Sequence, residues 1–154
     1  MKINVIRGQN QIGGSIIEVS TANTSIVLDV GINFDEGEKV EIPSIDGLFY
    51  GVRRYDAIFV SHYHSDHIGL LDYLLDGIPI YMGKRAYRIV KAASEYRNKE
   101  IKFLPNYLYD KVSVLIGDIK ITPILCDHSA FDSYMFLWSG SIFVESEKSP
   151  KKVR

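Results

Sequence analysis

The apolar residues of this chain fall in short clusters whose spacing changes along its length. Residues 2–6, 15–20 and 25–30 are brief stretches rich in β-branched side chains, punctuated by Gly8, Gly13, Gly14 and Asn23. This predicts three strands joined by turns. Ile26-Val27-Leu28 has no polar interruption, the pattern of a strand covered on both faces. Residues 31–51 carry Pro43 and several acids without periodicity and read as a surface loop. Residues 56–61 are another buried-type strand. From Ile68 onward, Leu71, Leu74 and Leu75 recur at helical spacing as far as Gly77, a natural helix stop. Residues 78–82 read as a strand, and residues 84–96 as a second helix with Tyr87, Val90 and Ala93 along one face. The last third returns to strands. Val112, Val114 and Ile116 alternate, Gly117-Asp118 turns the chain, and Ile119 and Ile121 continue. Residues 124–126 and 134–138 are further short strands, with Ser139-Gly140 as a tight turn into residues 141–145. The alternation of strands and helices argues an α/β layered (α+β) arrangement. Residues 1–146 form one domain in this reading, and residues 147–154 a polar, basic tail.

Composition narrows the picture modestly. The chain has 154 residues, 46% hydrophobic and 24% charged, a size and balance that bury a core without covalent staples. A net charge of -1 gives no global steering toward nucleic acid or an anionic membrane. The single cysteine, Cys126, excludes an intramolecular disulfide and fits a reducing compartment. No stretch approaches the ~20 apolar residues of a membrane helix, and the first residues lack the apolar run of a signal peptide. A cytoplasmic protein with no membrane partner is expected.

The chemistry concentrates in one place. Three of the four histidines lie in His62-Tyr63-His64-Ser65-Asp66-His67, directly after the apolar strand at residues 56–61. Side chains two apart in an extended segment point the same way, so His62 and His64 can grip one ion. Asp66 and His67 follow where the chain turns into a helix and can face a neighbouring point. The fourth histidine, His128, also follows an expected strand. Imidazole and carboxylate are the usual ligands of zinc and similar ions. A lone histidine is more often a hydrogen-bonded structural residue. Packing, however, gives no reason to crowd three of them with an aspartate, where repulsion and desolvation cost stability without a cation. Tyr63, Tyr107, Tyr109 and Trp138 can stack on bases, but core or rim packing is their commoner role.

His62-x-His64-x-Asp66-His67 after an apolar strand resembles the signature of the metallo-β-lactamase superfamily. Asp29 in Leu28-Asp29-Val30-Gly31 resembles that family's first motif, a buried aspartate that steadies the metal loop. Its alternative role is a turn-capping aspartate. His128 in Asp127-His128-Ser129-Ala130-Phe131-Asp132-Ser133 resembles the third motif, in the wording of ribonuclease J-like members. The similarity runs from about residue 3 to residue 138. It implies an αββα sandwich with a two-metal site, zinc being the expected ion and manganese the alternative. His62, His64 and His128 would bind the first ion. Asp66 and His67 would bind the second and are the expected catalytic pair, and Asp29 would support the ligands from behind. Asp127 and Asp132 would orient the loop.

The same resemblance implies two later ligands, a bridging aspartate and a final histidine. After His128 the sequence holds no histidine and only Asp132 as aspartate, with Glu145 and Glu147 as the remaining carboxylates. The expected structure is therefore the N-terminal half of the fold, naturally short or truncated. The expected function is a metal-dependent hydrolase, phosphodiesterase- or ribonuclease-like, using metal-bound hydroxide on RNA or another phosphodiester; a small-ester or thioester substrate is the next choice. The alternative from another class is a catalytically weak metal-binding half-domain acting through self-association or a partner chain. Strands at 26–30 and 56–61 look too apolar to face water, which argues a homodimer unless strands at 134–145 fold back to cover them.

Overall fold

A computed structural model describes residues 1–34 and 40–140. The chain forms strands β1 (Lys2–Arg7), β2 (Ile16–Ser20), β3 (Ser25–Leu28) and β4 (Ala57–Phe59), then a single helical turn α1 (Ser65–Ile68) and a 3-10 turn (Leu71–Tyr73). It continues as β5 (Ile80–Gly83), helix α2 (Lys84–Tyr96), β6 (Asn106–Leu108), β7 (Val114–Ile116), β8 (Ile119–Cys126) and β9 (Ser133–Gly140). Strands β1 to β6 form one six-stranded sheet in sequence order, and β7, β8 and β9 a three-stranded one. The first three strands pair antiparallel, and β3 to β6 run parallel. The three-stranded sheet is antiparallel throughout.

Period-two alternation assigns the apolar strand residues to two cores. Val27, Ile58, Ile80 and Met82 face a layer made by α2, the loop around Leu48 and Phe49, and Leu70 and Leu71. Ile26, Ala57, Phe59 and Leu108 face the opposite way, onto Ile119, Ile121 and Tyr134 of the second sheet. Phe59 anchors this inter-sheet core: it stacks on Tyr81 at 4.7 Å and meets Phe136 and Trp138 edge-on. Strands β3 and β4 are thus covered on both faces, and Ile26, Val27, Ile58 and Phe59 are all fully buried. The premise that these strands need a second copy to cover them is corrected: the chain's own β8 and β9 cover one face, and α2 with the segments around Leu48 and Leu70 the other.

Several local expectations change with tertiary context. The apolar run from Ile68 is not one helix. The amide of Leu70 donates to the Val30 carbonyl and that of Leu75 to Leu48, so the bonds that would propagate the helix go to other segments. Gly77 still turns the chain, at φ +79. On α2 the inward residues are Ala86, Tyr87 and Val90, while Ala93 is exposed. Strands expected separately at residues 119–121 and 124–126 are one strand. Pro123 is tolerated within it because β7 pairs only with Ile119, Lys120 and Ile121, leaving that edge of β8 without a ladder to break. Ser139 and Gly140 extend β9 rather than turning it, since Lys120 and Ile119 of β8 pair with them. Strand β6 carries no sequence signal, being three residues held by parallel pairing to β5. The strand expected at residues 141–145 and the basic tail lie outside the described residues.

Candidate metal centre

The site forms where the C-terminal ends of β3 and β4 meet the connection from β8 to β9. Beyond β3 the chain takes φ +57 at Asp29, a left-handed conformation that aspartate tolerates better than most side chains. That bend swings the carboxylate under the histidine segment. One oxygen, Oδ1, accepts the Ser61 amide at 2.8 Å. The other, Oδ2, accepts the Ser61 hydroxyl at 2.7 Å and the Nδ1 proton of His67 at 2.7 Å. Asp29 is 4% exposed, so its charge acts on these partners with little screening by water.

Proton accounting across this network orients two imidazoles. Because Ser61 donates its hydroxyl proton to Asp29, its Oγ is left to accept from Nδ1 of His62, 3.0 Å away. His62 then carries its proton on Nδ1 and turns the Nε2 lone pair outward, into the cluster. His67, with Nδ1 bound to Asp29, likewise turns Nε2 outward, where an Asp66 oxygen lies 3.3 Å away. The hydrogen bond at one ring nitrogen thus decides what the other offers to an ion. Ser61 carries no motif of its own, and its role appears only once Asp29 is seen beside it.

The backbone beneath is fixed as firmly. The Asp66 carbonyl accepts from Ser15 and the His67 carbonyl from Val30, while Ser65 accepts from Ile32. This close approach needs Gly31: a β-carbon there would lie 1.5 Å from the Asp66 carbonyl oxygen. Tyr63, between the two ligand-type histidines, is half-buried against the core layer beneath the six-stranded sheet, and its hydroxyl accepts the Phe131 amide.

His128 arrives from the other sheet. The Tyr134 amide donates to the Ser61 carbonyl at 2.9 Å, tying the start of β9 to the end of β4. Ser133 donates to the Ala130 carbonyl. Asp132 reaches the N-terminus of α2, accepting the amides of Arg85 and Ala86 at 2.7 and 3.1 Å, and its other oxygen accepts the Tyr134 hydroxyl. Burial and Asp132 together push that tyrosine far above its ordinary pKa. Asp132 therefore holds the loop by capping a helix 46 residues away in sequence.

The result brings His62, His64 and His128 together, with their ligand-type nitrogens all within 4.8 Å of one another. Nε2 of His62 and Nε2 of His128 are 3.2 Å apart. Burial, then the neighbouring imidazoles, lowers the pKa of His62 to about 4, so this ring is neutral and presents a lone pair at physiological pH. Three convergent imidazoles with one orientation enforced from behind fit the donor set of a zinc-type ion. His67 and Asp66 adjoin this cluster but are not part of it. Burial disfavours the imidazolium of His67, yet its hydrogen bond to Asp29 and the charges of Asp29 and Asp66 outweigh this and raise its pKa. A cavity of about 240 Å³ lined by Leu71, Asp72, Lys102 and Phe103, with neighbouring residues, contains none of the site residues.

A layered fold with histidines and a buried aspartate at the strand ends defines a class of metal-site domains, and family comparison places this chain within it. Residues 11–126 match the model of the metallo-beta-lactamase superfamily, and the chain belongs to that superfamily. It is 27% identical over 144 residues to ribonuclease J of Helicobacter pylori, covering 86% of this chain and 20% of the relative. It is 39% identical over 80 residues to an RNase J-like protein of Methanocaldococcus jannaschii, covering 52% of this chain and 15% of the relative. The chain thus spans about a fifth of the length of the first of these relatives. Among solved structures, a protein of unknown function from Enterococcus faecalis superposes with a TM-score of 0.71 at 21% identity, covering 90% of this chain and 40% of the other. A diphosphatase of the PhnP family superposes at 0.56 with 19% identity, covering 81% and 49%. The expected partial coverage of the fold agrees with these shares. No helix among the described residues is long and apolar enough to cross a membrane.

Proposed function

We propose that this chain supplies the first-metal side of a metal-dependent phosphodiesterase centre acting on RNA or a related phosphodiester. The observation that carries this reading is the convergence of His62, His64 and His128, drawn from the ends of two sheets, with His62 oriented by the buried Asp29–Ser61 pair. His62, His64 and His128 would hold the ion, and Asp66 and His67 would contribute to a second position with fewer ligands. Zinc fits three imidazoles best, and manganese is the alternative. A bound divalent ion supplies Lewis acidity and a nucleophile at neutral pH. The chain's own contribution is orientation: Asp29 keeps the His62 and His67 protons away from the centre, and the loop from Asp127 to Asp132 brings in His128. The ribonuclease names among the relatives favour RNA over a small ester.

Turnover of a generic phosphodiester and of single-stranded RNA, with added zinc or manganese, tests this reading against a His62→Ala, His64→Ala double variant. Metal-dependent turnover lost in the double variant is the expected result, at a low rate, because Asp66 and His67 alone leave a second ion loosely held. Equal turnover in both proteins contradicts the proposal.

A second reading is that of a metal-binding half-domain that acts through self-association. One observation favours it: Leu115 (64%), Met135 (55%) and Leu137 (61%) of the three-stranded sheet are exposed to solvent, set around Lys120 and Thr122 of β8, and large apolar side chains gathered on one sheet face are the material of contact sites. A homodimer mass by light scattering at micromolar concentration, lost on Leu137→Lys, is its expected outcome, and a monomer removes it.

A further inference from the structure

Beside the histidine cluster, the N-terminal turn of α2 and the loop after His128 bring together aromatic and cationic side chains that the metal centre does not use. The Arg85 guanidinium lies over the Phe131 ring at 5.6 Å, and the Lys84 ammonium over the Tyr107 ring at 5.7 Å. Phe131 is 58% exposed and Tyr107 36%. Lys84, Arg85 and Arg88 are all exposed.

Phe131 sits on a held backbone. Its amide donates to the Tyr63 hydroxyl at 3.3 Å, and the Tyr63 ring contacts that of His64 at 5.6 Å. The next residue, Asp132, accepts the Arg85 amide. The backbone that carries the ring is thus held beside the His64 segment, while the ring itself is more than half exposed. Asp132 turns its two oxygens to the α2 amides and the Tyr134 hydroxyl rather than to these cationic side chains.

An exposed aromatic beside a guanidinium has the two elements that single-stranded nucleic acid needs: a face for a base and a cation for the adjoining phosphate. A base stacked on Phe131, three residues after His128 in the chain, would leave its own sugar–phosphate beside Arg85. The chain's net charge of -1 does not oppose this, because binding follows the local distribution of charge.

We propose that Phe131 and Arg85, with Lys84 and Tyr107 continuing the same ledge, form a base-stacking and phosphate-binding subsite for single-stranded RNA at the edge of the metal centre. The subsite rests on the phosphodiesterase reading for its purpose, but its binding can be measured without metal.

The test is equilibrium binding, by fluorescence anisotropy in excess chelator, of a labelled single-stranded oligoribonucleotide. A sugar–phosphate oligomer of equal length lacking bases serves as the comparison. The wild-type chain is expected to prefer the base-bearing oligomer by about tenfold, the scale of one base–aromatic stack. Phe131→Ala should abolish that preference and Phe131→Trp retain it. Arg85→Ala should weaken both oligomers and reduce the slope of log affinity against log salt by about 0.7, one single-strand phosphate contact. Equal wild-type affinity for the two oligomers, or a preference that survives Phe131→Ala, overturns the subsite. Metal-dependent turnover lost in the His62→Ala, His64→Ala variant, together with no base preference, would sink the subsite alone. A Phe131-dependent preference in a chain with no metal-dependent turnover would sink the phosphodiesterase reading alone.

Discussion

The two halves of the candidate metal centre are built by opposite means. The half after β4 is sunk into the protein: His62 is 7% exposed, its neighbours' carbonyls are bound by amides at residues 15, 30 and 32, and Gly31 leaves no space for a side chain. The half after β8 stands in solvent. Asp127, His128 and Ser129 are exposed, and the loop is held mainly from its far end, where Asp132 caps α2 and Tyr134 bonds Ser61. One half is fixed by packing that leaves it a single place to go. The other is fixed by a few hydrogen bonds made from Asp132 and Tyr134.

The sharpest way to break this contrast is at Gly31. Gly31→Ala forces a β-carbon against the Asp66 backbone, so the His62–His67 segment must move or the fold must yield. The expected cost is about 3 kcal/mol of unfolding free energy, read as a lower urea midpoint, with metal binding lost in parallel. An unchanged midpoint would show that the buried half is more pliable than its packing indicates.

The exposed half should respond more mildly and more specifically. Asp132→Ala removes the α2 cap and the anchor of the His128 loop together. It should cost about 1 kcal/mol of stability while weakening zinc affinity several-fold, because His128 loses its placement. Asp132→Asn should recover much of the stability. A loss of stability as large as that of Gly31→Ala would erase the distinction between the two halves.

The smallest effects concern pH in the metal-free protein. His62 has a folded pKa of about 4 against an ordinary 6.5, so the unfolded chain binds its proton more readily. Its stabilising contribution is present above 6.5 and is lost as pH falls toward 4. His67 has a raised folded pKa, with burial opposing and Asp29 and Asp66 prevailing. Its contribution is present below 6.5 and is lost as pH rises through the folded value. In chelator, stability should therefore fall on both sides of an intermediate maximum. Asp29→Asn should remove the decline on the alkaline side and keep the acid one, as followed by urea midpoints across pH. A variant profile that matches the wild type would show that Asp29 does not set the proton on His67.

The same contrast explains what was legible in the sequence. The buried half announces itself locally: apolar runs at residues 25–30 and 56–61, then histidines at fixed spacing, with Asp29 and Gly31 close behind a strand. Residues that act through long-range contacts gave no such signal. Ser61 looks like an ordinary strand-end serine until its hydroxyl is seen between Asp29 and His62. Asp132 reads as a loop aspartate because its helix lies far away in sequence. The helix expected from Ile68 does not form for a similar reason: the turn Ser65–Ile68 ends there, and the Leu70 amide finds Val30 before it can extend that turn. The covering of β3 and β4 by β8 and β9 is a tertiary fact that apolar patterning alone leaves open. Phe131 and Arg85 likewise become a pair only when the third-motif loop meets the start of α2.

The central claim is that His62, His64 and His128 hold one ion. It is tested most directly by the metal content per chain of protein loaded with zinc and then desalted, compared with His128→Ala treated identically. The account predicts close to one tightly held ion per wild-type chain and almost none in the variant, with unfolding midpoints in chelator nearly equal for the two. Wild-type protein that emerges without metal, or a variant that retains it in full, contradicts the account.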